Sequence, residues 1–301
     1  MGHKHDHHID HSISTVRLFV TVMLNFLITV AEVIGGLLSG SLSLISDALH
    51  NFSDGIAIII TYIALRLGKH PQTFKYTFGL KRAEILAAAF NAGTLIAICF
   101  FLFKEAYERL ISPQHIKGEL MLGVAVIGLI ANAVCILLLK KGSMDNLNIR
   151  SAYLHLLGDT ISSVAVIIGG ICIQLFQVYW IDPLLTVLIS IYILKKSIEI
   201  VKESINVLMM GVPESVSIEN IQKDLENIPG IKNIHHVHVW RLGENDIHFE
   251  AHIDVDDMPV SRTTSLCTIV EEKLKHHHGI AHITLQFETD KCESKDLVKK
   301  R

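Results

Sequence analysis

The chain has 301 residues, half of them hydrophobic, with 27 basic against 30 acidic side chains and a formal charge of −3. A charge this near neutral excludes the cationic footprint of a nucleic-acid-binding protein, and a mean hydropathy of +0.41 is too high for a chain that is soluble throughout. The five cysteines are scattered without a CxxC pair, which excludes a disulfide framework or a cysteine zinc ribbon; histidine, with 18 residues, is the unusual component.

Residues 1–15, MGHKHDHHIDHSIST, carry five histidines and little that could pack, and read as a mobile cytoplasmic tract able to bind metal weakly. The first apolar stretch runs on as a full span without a small-residue cleavage pattern, so no cleavable signal peptide is expected. Six spans are predicted, at 16–38, 42–66, 80–104, 117–140, 151–176 and 179–200, each near the roughly 20 residues that cross a bilayer core. Lys195 and Lys196 shorten the apolar run of the last, where their long stems can snorkel to the interface. Basic residues gather in the connection between spans two and three (Arg66, Lys69, Lys75, Lys81, Arg82), between spans four and five (Lys140, Lys141, Arg150) and after span six. The opposite loops lack such an excess, so both termini are expected in the cytoplasm.

Two of these spans carry the same motif. His50 and Asp54 stand in HNFSD of span two, and His155 and Asp159 in HLLGD of span five. A spacing of four residues puts an imidazole and a carboxylate on one helix face. An ionisable group at mid-bilayer costs about 2.5–3.5 kcal/mol on insertion scales, so four of them need a common partner. Two imidazoles and two carboxylates meeting from two helices form a four-donor cage that suits a tetrahedral divalent ion such as zinc. Asp47, three residues before His50, is a candidate acceptor that fixes the His50 tautomer. The other polar groups in the spans, among them Asn25, Glu32, Asn51, Glu84, Asn91 and Asn132, read as interhelical hydrogen-bond partners.

Beyond about residue 205 the pattern changes. Residues 215–228 read as an amphipathic helix ended by Pro229-Gly230, 234–241 and 246–255 as strands turning at Gly243 and Asn245, 260–277 as a second helix capped by Gly279, and 281–289 as a third strand. That order, αββαβ over 210–290 with a tail at 291–301, makes a small sheet with two helices on one face. Strict alternation turns Val237, Val239, Phe249, Ala251, Ile253, Ile283, Leu285 and Phe287 towards the helices. It leaves His236, His238, His248, Glu250, His252, His282 and Glu288 on the other face, a plausible zinc surface. His276, His277 and His278 end a helix, where the helix dipole accounts for them.

The paired HNFSD and HLLGD, with YTFGLKRAEIL, WIDPLLTVLISIYIL, LMMGVP, HVHVW and HITLQFE, resemble the cation diffusion facilitators of the zinc-type branch over the whole chain. The resemblance implies a six-helix, all-α transmembrane domain (16–205) joined to a cytoplasmic α+β ferredoxin-like domain. It maps the family's transport site onto His50, Asp54, His155 and Asp159. It further implies a homodimer in the lipid bilayer, exchange of metal for protons, and cytoplasmic metal ligands at His235 or His238, His252, His282 and Glu288. Alternation favours His238 over His235. The connection between spans two and three offers only His70, so a further site there is not expected, and the short KKGSMDNLNIR loop without histidine suggests a prokaryotic-type member in a bacterial inner membrane. The expected activity is secondary transport, not catalysis: efflux of Zn2+, with Cd2+ and Co2+, by proton antiport through alternating access, with zinc as both substrate and regulator. Four protein ligands leave no open position for a hydrolytic water, and no HExxH occurs. A sensor or storage protein would fit the histidines but not a cage at mid-bilayer.

Overall fold

The computed structural model describes residues 11–68, 70–140, 147–243, 246–292 and 294–298. Most of the amino-terminal histidine tract, the loop at 141–146 and part of the turn at 243–245 therefore lie outside the described residues. The chain divides into two compact units, one formed by the residues up to Ile60 with Phe90–Glu199, the other by Thr61–Ala89 with Ile200 onwards.

Six long helices come first: α1 (His11–Ser39), α2 (Leu42–Gly68), α3 (Ala83–Ile111), α4 (Gly118–Lys140), α5 (Leu147–Phe176) and α6 (Ile181–Leu208). Among the described residues α1 to α5 contain stretches long and apolar enough to cross a membrane, the most apolar being Gly118–Leu138 of α4. The sixth predicted span forms a continuous helix but does not meet that measure, because Lys195, Lys196, Glu199, Lys202 and Glu203 follow its apolar first half. Helix α1 begins at His11, inside the stretch expected to be a mobile tract. Large apolar side chains such as Phe90, Phe100, Ile127, Leu137 and Ile161 point outwards on these helices, as lipid-facing residues do. In the first unit α4 packs against both α1 and α5. At Gly128 of α4 an added Cβ would sit 2.8 Å from the Glu32 Oε1 on α1, so the glycine leaves room for that carboxylate in its present position.

The ends of the membrane helices are tied by polar side chains. Asp182, buried at the start of α6, accepts from the Leu42 and Ser43 amides at 2.7 and 3.2 Å and from the Ser41 and Ser43 hydroxyls at 2.6 Å each. One carboxylate thus satisfies the unpaired amides of the α2 amino terminus and complements its dipole.

The second unit contains α7 (Ile218–Glu226), β1 (Ile231–Arg241), β2 (Ile247–Val255), α8 (Val260–His278) and β3 (His282–Glu288), in the expected αββαβ order. The sheet runs β1-β2-β3, antiparallel between β1 and β2 and parallel between β2 and β3. Ser217 caps α7, Gly230 (φ +100°) turns the chain into β1, and Gly279 in the left-handed region ends α8. Ile221 and Leu225 of α7 and Leu266, Val270 and Leu274 of α8 pack with Ile234, Val239, Phe249, Ala251 and Ile253 as one core. The alternation expected for β2 and β3 holds, but β1 departs from it. Its register with β2 shifts between His235 and His238, and His236 has a φ of +54°. The inserted residue turns His235 onto the sheet face of His252 and Glu288, where it is buried, while Val237 stays in the core. The carboxy-terminal segment is also ordered against β1: the His236 and Val237 amides donate to the Asp296 and Leu297 carbonyls at 3.2 and 2.8 Å. Lys81 pairs with Asp246, and Phe78 meets His248 edge-on at 5.6 Å, which explains why the stretch before α3 belongs to this unit.

Candidate metal centres

In the first unit α2 presents His50 and Asp54 one turn apart, with Nε2 and Oδ2 separated by 3.4 Å. Asp159 of α5 brings its Oδ1 to 4.0 Å from the same imidazole nitrogen, and its side chain is 4% exposed. His155 lies one turn before Asp159 on α5, and its side chain falls outside the described residues. Three of the four expected donors therefore converge from two helices. Their nitrogen and oxygen atoms form a set that a divalent transition metal accepts.

Three hydrogen bonds hold the helices that carry them. The Ser162 hydroxyl donates to Asp47 Oδ1 at 2.6 Å, joining α5 to α2. The Asn51 amide donates to Glu32 at 3.0 Å, joining α2 to α1, and Ser53 donates to Asn91 at 3.1 Å, joining α2 to α3. Asp47, expected to orient the His50 ring, is thus held by Ser162, and its position serves the helix pair.

The second unit brings together His235, His252, Glu288 and Cys292, whose ligand atoms all lie within 4.8 Å of one another. Glu288 is the hub. Its Oε1 is 2.9 Å from His235 Nε2, and its Oε2 is 3.2 Å from His252 Nδ1 and 3.5 Å from Cys292 Sγ. The sulfur is 3.6 Å from His252 Nδ1. Bonds of about 2.0–2.3 Å to a tetrahedral ion place donor atoms roughly 3.3–3.8 Å apart, so this cluster is close to the required size. His235 Nδ1 faces Asn233 Oδ1 at 3.0 Å. A ring that donates there turns the lone pair of Nε2 towards a carboxylate, an arrangement that needs a proton or a metal ion between them. Burial opposes the charge of Glu288, yet the Cys292, Gln286 and His235 donors outweigh it and hold the carboxyl below its ordinary value.

Two of the residues expected in this site lie elsewhere. His238 is exposed on β1, across from Glu250, while the bulge puts His235 on the same face beside His252 and Glu288. Strict alternation, which favoured His238, is corrected on that point. His282 pairs across the sheet with His248, their rings 4.7 Å apart, at a distance from Glu288 set by the length of β3. His248 itself is 3% exposed, stacks on Trp240 at 5.4 Å and lies 3.6 Å from Asp246. Cys292 was missed by sequence reasoning. Its only signal was its place four residues after Glu288, just past β3, and a lone cysteine in a tail does not announce a ligand. His278 of the terminal histidines bonds Asp224 of α7 at 2.9 Å.

Comparison with known proteins agrees over nearly the full length. Residues 18–209 match the cation efflux transmembrane domain, and residues 213–290 match the cytoplasmic domain of cation efflux proteins. The zinc transporter ZitB of Pectobacterium atrosepticum is 41% identical over 295 residues, covering 97% of this chain and 91% of its own. The metal cation efflux system protein CzcD of Cupriavidus metallidurans is 37% identical, covering 98% of this chain and 92% of its own. A cadmium, cobalt and zinc/H(+)-K(+) antiporter of Bacillus subtilis is 35% identical, with 96% and 93% covered. With both of its domains matched and relatives similar from end to end, this integral membrane protein belongs to the cation efflux, or cation diffusion facilitator, family of transporters.

Proposed function

We propose that the protein exports divalent transition-metal ions from the cytoplasm in exchange for protons, with zinc as the main substrate and cadmium and cobalt as further ones. It works as a homodimer in a bacterial inner membrane, with both termini in the cytoplasm, by alternating access. The observation that carries this reading is the convergence of His50, Asp54 and Asp159 from α2 and α5 inside the helical unit. The fourth ligand in this proposal is His155, one turn before Asp159 in the sequence of α5. Zinc in the name of one relative, and cadmium, cobalt and zinc in that of another, support the choice of ions.

Metal binds neutral imidazole and ionised carboxylate, so loading from the cytoplasm releases protons and protonation on the far side expels the ion. Histidine is the exchanging group, since an unperturbed imidazole, with a pKa of about 6.5, is the side chain that gains or loses its charge near neutral pH. The cytoplasmic unit binds the same metal through His235, His252, Glu288 and Cys292 and adjusts transport to the cytoplasmic supply. The donor set, two nitrogens, one carboxylate and one thiol, fits zinc or cadmium and disfavours magnesium and calcium.

The test is uptake of radioactive zinc by proteoliposomes with and without an imposed pH gradient. Accumulation that depends on the gradient and is lost in Asp159→Ala is the expected result. Stoichiometric binding without accumulation would return the protein to the sensors, and accumulation indifferent to the gradient would remove the proton exchange.

A further inference from the structure

We infer that His238 and His236 form a stepping route that passes a metal ion from solvent to the buried cytoplasmic site. This rests on the reading of His235, His252, Glu288 and Cys292 as a metal site. The inner half of that site is closed: the His235 and Glu288 side chains are 1% and 2% exposed, so an ion must come in past the partly buried His252 and Cys292. A hydrated ion enters such a site only if incoming ligands replace its waters one at a time, so a buried metal site requires an entry path.

A file of imidazoles leads to it. His238 is exposed on β1, with Glu250 its cross-strand neighbour. Its ring centre lies 5.2 Å from that of His236, and His236 lies 4.7 Å from His252. His252, 17% exposed, is at once the last of the file and a member of the cluster, 3.2 Å from Glu288. The backbone is bent to make the file. His236 occupies the left-handed region at φ +54°, uncommon for a residue with a side chain, and the carboxy-terminal segment pins the bend at Asp296 and Leu297. In a regular strand His235 and His236 would face opposite ways; the bulge lets His235 reach Glu288 while His236 meets His252. The cluster already supplies four donors, so His236 is no permanent ligand. It serves as a passing fifth one, which zinc tolerates during exchange.

The experiment uses the full-length protein in detergent with Cd2+ alone as the probe, following the thiolate-to-cadmium absorbance of Cys292 by stopped flow. In His238→Ser, His236→Asn and the double variant, association and dissociation should both slow, by about tenfold in the double variant, with Kd unchanged. A route lowers the barrier in both directions without altering its ends. Asparagine tolerates the left-handed backbone, so His236→Asn removes the imidazole and keeps the bend. Unchanged rates overturn the route. Faster dissociation with a weaker Kd overturns it too, by making these residues ligands. If Cys292→Ser and His235→Ala leave the absorbance and stoichiometry intact, the site itself is refuted and the route with it.

Discussion

At the proposed transport site the choice between imidazole and carboxylate decides the metal. Imidazole favours zinc and its neighbours, whereas an oxygen-only set suits harder ions. His50→Asp should therefore raise manganese uptake relative to zinc by about tenfold or more in a competition assay. An unchanged profile would count against His50 as a ligand. This site was legible in the sequence because a helix turns His50 and Asp54 to one face whatever surrounds them. His248 shows the opposite case, a residue whose chemistry appears only once the sheet is assembled. Burial lowers its pKa, opposed by Asp246 and reinforced by the positive charge of His282 and Lys81. The unfolded chain, with an ordinary histidine value near ~6.5, then takes up the proton first as pH falls. Stability contributed here is present above that value and is lost as pH drops below it. Thermal melting from about pH 7.5 to about pH 5.5 should fall less steeply in His248→Phe than in the parent protein. Parallel curves would show that another group carries the acid sensitivity.

Between elements, single polar side chains do what sequence patterns do not reveal. The Asp182 carboxylate at the head of α6 receives two amides and two hydroxyls from the start of α2. Its removal strands buried donors that have no water to turn to. Asp182→Ala should cost about 2 kcal/mol, read as a lower melting temperature in detergent, and Asp182→Asn should recover part of the loss. An Asp182→Ala protein as stable as the parent would mean that the α2 terminus finds other acceptors. The αββαβ order was readable, because apolar period and turn residues act locally. The bulge in β1 was not, because it depends on pairing with β2 and on the segment around Asp296 and Leu297 that closes over it. One extra residue there brought His235 onto the face that alternation gave to His238, and a ligand set derived by alternation inherits such a shift. The sixth helix was legible in its apolar first half and in the lysines that end it but not in its length, since Lys202 and Glu203 lie in the same helix, which runs on to Leu208.

On the scale of the whole molecule the two metal centres differ in a way that suits different tasks. The proposed cage on α2 and α5 has nitrogen and oxygen donors, with His50 and Asp54 about one-fifth exposed, and export as proposed requires it to release its ion each cycle. The cytoplasmic cluster adds a thiol and buries His235 and Glu288 almost fully, with His252 and Cys292 half-buried, which favours tighter, more slowly exchanging metal. A tight site that binds metal in one conformational state more than another shifts the balance of states, and coupling of this kind amounts to about fivefold or more in apparent affinity. His235→Ala should therefore raise the half-saturating zinc concentration for transport by about fivefold while leaving the maximal rate within about twofold. Asp159→Ala should do the reverse, abolishing transport while cadmium still binds the Cys292 thiolate. If His235→Ala instead removes a bound ion and leaves the zinc dependence of transport as it was, the cytoplasmic cluster is structural. The energy of metal binding would then stabilise that unit alone, and chelation would lower its melting temperature without changing the transport curve.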